Sequence, residues 1–389
     1  MSDVLERDVL APQTEADLAQ IVADAQGPLR IVGGGTRPVG RAVHGQPLST
    51  ANLSGITLYE PGALTLVAGA GTPLPDVQAA LAAEGQRLPF EPMDHRALMG
   101  GVADDGTGVP TLGGMVAGNV SGPRRFISGA CRDSLIGLRF VDGAGNVVSN
   151  GGRVMKNVTG YDLVKLMAGS WGTLGVFSQV SLKLLPEPET CAMLVCEGLD
   201  DETALRAMTC ALGTPFEVNG AAHLQGADSS ASVTRLRLEG FAGSVTYRAG
   251  CVQAALAPIA DFEIVEDPDK TRSVWEEVRD VKAFAGKTGD VWQISTVPGD
   301  APGLVARVPG ARALYDWGGG RVWLLVTEGV DVRHRLGAFR GHATLVRGGK
   351  DTRTAIAPFQ PEAPAVAMLS EALRRRFDPR GILNPGLMA

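Results

Sequence analysis

Two glycine-rich segments carry the residue types and spacings best suited to chemistry. They are Gly33-Gly-Gly-Thr36 and the longer run Pro110-Thr-Leu-Gly-Gly-Met-Val-Ala-Gly-Asn-Val-Ser-Gly-Pro-Arg-Arg125. Glycine at this density destabilises ordinary helix and strand interiors. One use for it is to let the backbone approach something large and flat. The N–H groups of the glycines and of Ser121 can then bind phosphate oxygens as an anion nest, while Met115, Val116 and Val120 pack inward. Two standard phosphate motifs fail on the first segment. A dinucleotide fingerprint needs a third glycine where Pro38 stands, and a helix that Pro38 and Gly40 interrupt. A P-loop starting at Gly35 reaches Gly40, but Arg41-Ala42 replaces the required Lys-Ser/Thr. Taken alone, Gly33–Thr36 stays open to reading as a plain glycine turn.

Other chemistry is sparse. His44, His95, His223, His334 and His342 show no HxH, HxxH or HExxH spacing, so no metal site is expected. Cys131, Cys191, Cys196, Cys210 and Cys251 form no CxxC pair and lack the clustering of an iron–sulfur site. Small buried hydrophobes in a reducing cytosol is the expectation for them.

These segments need elements to hold them, and 389 residues with 44% hydrophobic content suffice for two domains with substantial cores. A net charge of −6 gives no basic field for nucleic acid. The charged start Met1-Ser-Asp-Val-Leu-Glu-Arg-Asp predicts no signal peptide, and no apolar run reaches membrane-spanning length. Thr14-Glu-Ala-Asp17 resembles a capping box ahead of Leu18, Ile21, Val22 and Ala25 at helical spacing. Leu29–Val32 is a strand feeding the first glycines. A strand over 64–68 leads to Thr72 as the cap of a helix with Leu74, Val77 and Leu81 buried. Leu135–Val141 is an apolar strand with a hairpin at Asp142-Gly143, and 176–184 alternates as a half-buried strand. Pro186-Glu-Pro188 marks the domain boundary. Beyond it, strands are expected at 193–196, 233–239, 262–265, 291–295, 311–315, 322–326 and 344–347, with a helix over 200–212. Val366, Leu369, Leu373 and Phe377 form a helical stripe beside Arg374-Arg-Arg376, which reads as a solvated face.

The pattern Thr-Leu-Gly-Gly-Met-Val-Ala-Gly-Asn-Val-Ser-Gly, Arg-Asp-Ser-Leu-Ile-Gly, Thr-Gly-Tyr-Asp-Leu-Val-Lys-Leu and Gly-Thr-Leu-Gly-Val resembles the vanillyl-alcohol-oxidase-type (PCMH-type) FAD-binding family. The match runs from about Thr14 to Leu185 and resumes at Phe377-Asp-Pro-Arg-Gly-Ile-Leu-Asn-Pro-Gly386. Within the superfamily it is most similar to the FAD-binding subunits of glycolate oxidase (glycolate dehydrogenase). The resemblance implies an α+β fold: an FAD-binding domain over 1–188, in subdomains of about 1–72 and 73–188, and an α+β cap over 189–347. The cap is expected to be an antiparallel sheet with helices on one side, and 348–389 to return to the FAD domain. It assigns to the FAD site Gly33, Gly34, Gly35, Thr36, Thr111, Gly113, Gly114, Gly118, Asn119, Ser121, Gly122, Gly172, Thr173, Gly175, Val176 and Asn384. The family commonly attaches flavin covalently through a histidine in the first loop. Thr36 and Arg37 stand there and His44 lies too far along, so the FAD is expected to be non-covalent.

By the same resemblance, the chain is an FAD-dependent oxidoreductase subunit that oxidises glycolate, a small 2-hydroxy acid, to glyoxylate. Its implied partners are a larger catalytic flavoprotein subunit and an iron–sulfur subunit that takes the electrons onward. The implied location is the cytoplasm, peripheral to the inner membrane through the complex and without direct insertion. Oxidation of a 2-hydroxy acid needs a base for the hydroxyl proton and an arginine for the carboxylate. Arg321, Arg347, Arg353 and His342 are weak candidates, each more in keeping with a structural role. The histidine-rich metal site of larger catalytic relatives has no counterpart. A non-catalytic FAD-binding assembly subunit, or another 2-hydroxy-acid dehydrogenase of the same fold, stays open as an alternative.

Overall fold

The computed structural model describes residues 9–100, 107–152, 160–227 and 230–389. The first eight residues, read for a leader, and Thr159 of the family pattern lie outside them. The chain forms two compact units: Met1–Ser121 with Gly129–Glu187 and Pro361–Ala389, and Gly122–Ser128 with Pro188–Gln360. Among the described residues no helix is long and apolar enough to cross a membrane.

The first unit is built on a five-stranded antiparallel sheet in the order Ile56–Glu60, Thr65–Gly69, Val176–Lys183, Leu135–Val141, Val147–Gly151. Val176–Lys183 is its central strand; Gln179 and Lys183 are half-buried as expected, while Ser178 and Ser181 are buried, a departure from the half-buried reading. The helix Glu15–Asp24 begins with a complete capping box at Thr14 and Asp17. It lays Leu18 and Val22 against Val141, Val176 and Leu48. Thr72 does not cap the helix Leu74–Ala83; its hydroxyl donates to the Gly69 carbonyl at 2.7 Å and accepts from the Gly55 amide at 3.0 Å.

Leu29–Val32 pairs in parallel with Gln46–Ser49 and receives the C-terminal return on its other side. The Leu29 amide donates to Ile382 O (2.7 Å) and the Asn384 amide to Leu29 O (3.0 Å). The guanidinium of Arg380 donates to the carbonyls of Val22, Ala23 and Ala25, serving the orphan carbonyls at the end of the first helix, and to that of Gly143. Phe377 turns inward to Phe140, while Val366, Leu369 and Leu373 on the helix Pro364–Phe377 are exposed.

The second unit is an eight-stranded antiparallel sheet: Glu263–Val265, Thr190–Glu197, Val233–Gly240, Gly220–Leu224, Arg312–Asp316, Arg321–Val326, Asp290–Thr296, Gly341–Arg347. The helices Asp201–Leu212 and Ala242–Leu256 cover one face, where Ala221 meets Met208 and Val252. The helix Pro268–Arg279 sets Trp275 against Ala222. Successive residues of a strand face opposite sides, so this helix covers the other face and the expectation of helices on one side is corrected. The unit runs on to Gln360, past the boundary expected at 347, because buried Asp290 accepts from Thr352 of the helix Lys350–Ala355 at 3.1 Å.

Glu15 joins the first helix to the sheet of its unit through Arg139 and through the Ser178 hydroxyl at 2.5 Å. Burial pushes its carboxyl up from the ordinary 4.5, but the hydrogen bonds from Arg139 and Ser178 and the Arg139 charge outweigh this and hold it lower. A depressed folded-state pKa adds stability above the unfolded value, which is lost as pH falls from about 4.5 toward the folded one. Glu15→Gln should therefore cost about 1 kcal/mol at pH 7, the pair being partly solvated, and less at pH 3.5. Urea denaturation at both values checks this; an equal loss at both contradicts it.

Candidate functional site

The two glycine segments meet within the first unit. A Cβ on Gly34 would overlap the Val109 carbonyl oxygen outright, and one on Gly33 would lie 2.5 Å from Thr111 Oγ1. The Gly108 amide donates to Gly34 O at 3.0 Å. Close approach of backbone to backbone is what requires glycine at 33 and 34, while Gly35 takes a left-handed φ of 67°.

Helix Leu112–Ala117 follows, with Thr111 Oγ1 accepting from the Gly114 amide at 3.3 Å. Its other early amides are also engaged inside the protein: Leu112 N donates to Thr72 O and Gly113 N to Ala70 O at 2.7 Å. The expected anion nest is therefore corrected for Gly113 and Gly114, whose N–H groups hold the segment to its neighbours. The first loop differs. Among the described residues, no acceptor bonds the amides of Gly33, Gly34, Gly35 or Thr36. Four adjacent backbone donors left open on a buried loop suit the oxygens of a polyanion.

Arg37 links the segments. Its Nη1 donates to Gly114 O at 3.0 Å, its Nε to His95 Nδ1 at 3.3 Å, and its guanidinium carbon lies 5.9 Å from the Trp171 ring centroid. A Cβ on Gly118 would overlap Nη1. In the sequence Arg37 bears only on covalent attachment; its signal there is a cation two residues after three glycines.

Asn384 closes the constellation from the C-terminal return. It is buried at 3% exposure with φ 45°, its Oδ1 accepts from Ile31 N and its Nδ2 donates to Trp171 O, each at 2.8 Å. A Cβ on Gly172 would sit 2.9 Å from that Nδ2. The side chain thus fixes the strand before the first loop to the turn at Trp171-Gly172. Asn119 accepts from Arg132 N at 3.0 Å and Ser121 Oγ from Cys131 N at 3.1 Å. Thr173 Oγ1 donates to Ser170 O. Gly175 makes room for the Phe140 ring, and Val176 belongs to the core. These last five residues brace the loops. Gly122 lies in the second unit, where its carbonyl accepts from Trp317 Nε1 at 2.9 Å.

The weak catalytic candidates lie in the second unit and three are internally engaged. Arg321 is buried in an ion pair with Asp316, 4.1 Å from the Trp317 ring centroid. Arg347 donates to the carbonyls of Phe284, Lys287 and Gly289, and Arg353 to those of Val346 and Gly348. These guanidiniums hold the sheet and its loops. His342 is exposed on the edge strand Gly341–Arg347, and partial burial of its ring together with the Arg125 charge lowers its pKa. Among the described residues no group of three His, Cys, Asp or Glu is placed to hold a metal.

The FAD binding domain family matches residues 7–151. The glycolate oxidase subunit GlcE of Escherichia coli is 35% identical over 364 residues, spanning 93% of this chain and 92% of that one. The glycolate oxidase subunit GlcD of Bacillus subtilis is 43% identical over 82 residues, 21% of this chain and 17% of its own. Among solved structures, p-cresol methylhydroxylase with substrate bound superposes with a TM-score of 0.71 over 98% of this chain and 88% of that one, at 13% identity, a likeness of fold.

Gly34 and Gly114 differ in what a side chain would meet. Gly34→Ala should destabilise the ligand-free chain by about 3 kcal/mol, since backbone must move. Gly114→Ala meets only Thr111 Oγ1 at 3.1 Å and should leave stability within about 1 kcal/mol. Thermal melts check both, and equal losses in the two variants would refute the interlock of the loops.

Proposed function

This chain belongs to the PCMH-type FAD-binding family that includes the glycolate oxidase subunit GlcE, and from that premise we propose that it is the FAD-binding subunit of a glycolate oxidase complex. The observation that carries the reading is the likeness to GlcE across nearly the whole of both chains. The first glycine loop fits the cofactor: its open amides, unlike those of Leu112–Gly114, can hold the pyrophosphate. By the family resemblance, Asn384 and the turn that it fixes at Gly172 are assigned to the flavin end. Thr36 and Arg37 offer no nucleophilic nitrogen of the kind a histidine linkage uses, so the cofactor is held non-covalently. When bound, FAD supplies the two-electron acceptor needed to oxidise glycolate to glyoxylate.

The chain's own residues hold and orient the cofactor, and a larger flavoprotein subunit and an iron–sulfur subunit complete the electron path. His342 is the remaining candidate base, since its ring, unlike Arg321, Arg347 and Arg353, has no internal hydrogen-bond or ion-pair partner among the described residues. A second reading, an FAD-binding assembly subunit without turnover of its own, is favoured by the internal engagement of Arg321, Arg347 and Arg353. Subunit-resolved reduction separates the two: FAD on this chain should bleach when glycolate meets the reconstituted complex, and flavin that stays oxidised throughout turnover selects the second reading.

Two outcomes are expected of the purified chain. Acid precipitation should release its FAD into the supernatant; colour left on the polypeptide would contradict non-covalent binding. Glycolate oxidation with artificial dyes should be slow or absent, and should appear on reconstitution with the two partner proteins. Full steady-state turnover by the isolated chain would overturn the dependence on partners.

A further inference from the structure

Arg37 presents an electrostatic anomaly. It is half-buried between the glycine segments, and its hydrogen-bond partners among the described residues, the Gly114 carbonyl and the His95 ring, are both uncharged acceptors. The nearest named face is the Trp171 ring, and Asp94 acts on it only through space. Burial pulls its pKa down to about 10, so the guanidinium is still a cation at neutral pH. Charges withdrawn from water even in part are ordinarily paired, because their desolvation is unfavourable by more than neutral hydrogen bonds recover. The missing side chain of Gly118 leaves the space that Nη1 occupies, so the fold accommodates this cation at a defined place.

The residues immediately before Arg37 are the four whose amides bond no acceptor among the described residues. A cation and four backbone donors concentrated on one short loop call for a ligand with several anionic oxygens. A single carboxylate has two oxygens and cannot engage them all, whereas a diphosphate can. We propose that Arg37 supplies the counter-charge for the diphosphate of the bound dinucleotide, so that ligand binding completes an ion pair that the described residues leave open. This rests on the FAD reading above. It makes the first loop and the helix Leu112–Ala117, which Arg37 bonds through Gly114, respond together to the ligand. It also predicts opposite signs for a neutral substitution, which should relieve the ligand-free chain and weaken the loaded one. A merely structural tie would lose in both.

The test uses the full chain stripped of flavin, titrated calorimetrically with FAD, with ADP as the diphosphate probe and with adenosine as the control lacking phosphate. Arg37→Met should weaken ADP and FAD binding by about tenfold to a hundredfold, the scale of a lost charge-assisted bond. Adenosine affinity should stay unchanged, and the melting temperature of the ligand-free chain should hold or rise. Arg37→Lys, which keeps the charge, should recover most of the ADP affinity and guards against misfolding of the first variant. Added salt should weaken ADP binding to the parent chain more than to Arg37→Met. Wild-type ADP affinity in Arg37→Met overturns the proposal. So does a variant that loses adenosine binding and melting temperature in parallel with ADP. A parent chain that binds neither FAD nor ADP overturns the FAD reading itself and this inference with it, an outcome distinguishable because the failure precedes any substitution.

Discussion

The contact between the backbone of Gly34 and the carbonyl of Val109 is the constraint on which the rest of the first unit depends. Loops 75 residues apart in sequence reach this separation only because residue 34 carries no Cβ into the gap. Everything near the candidate site follows from keeping that contact closed. Thr111, which Gly33 abuts, caps the helix Leu112–Ala117, Arg37 reaches across to Gly114, and Gly118 yields the volume that the guanidinium takes. The strand that delivers Gly33 is in turn held between Gln46–Ser49 and the C-terminal return. The last residues of the chain therefore support one of its first loops.

This arrangement divides the backbone donors of the two segments into separate tasks. The second segment closes its amides onto Ala70, Thr72 and Thr111, and this fixes its position. The first segment is positioned by steric fit and by its flanking strand, and so it can leave its amides open. A loop that held itself by its own N–H groups would have none for a ligand. Asn384 adds the same economy at the other end, anchoring Ile31 and Trp171 with one side chain in a left-handed conformation that asparagine tolerates better than most residues.

Much of this was legible in the residues, for identifiable reasons. The capping box at Thr14 and Asp17 is a local motif whose partners are three residues apart, and it needs no tertiary information. The apolar strands of the second unit, rich in Val, Leu and Trp, announce themselves by composition. The strand Gly220–Leu224 is not legible in the sequence, because Gly-Ala-Ala-His-Leu has weak strand propensity; its small residues admit the Trp275 ring, which a Cβ on Gly220 would meet at 2.7 Å. Whether a glycine amide faces a ligand or a neighbouring carbonyl is likewise invisible in sequence. Gly113 and Gly34 look alike there, and only the fold places Ala70 O opposite one of them. Arg321 and Arg347 illustrate the same limit: an arginine in a cap domain reads as a carboxylate binder until its internal acceptors are known.

The account therefore turns on one physical difference between the two glycine segments, open amides on the first and closed amides on the second. Hydrogen–deuterium exchange of the full chain with and without FAD reads that difference directly. The amides of Gly33, Gly34, Gly35 and Thr36 should exchange rapidly in the flavin-free chain and become strongly protected when FAD is added. Those of Leu112, Gly113 and Gly114 should be protected in both states. Protection of the first loop that is the same with and without FAD would contradict the account.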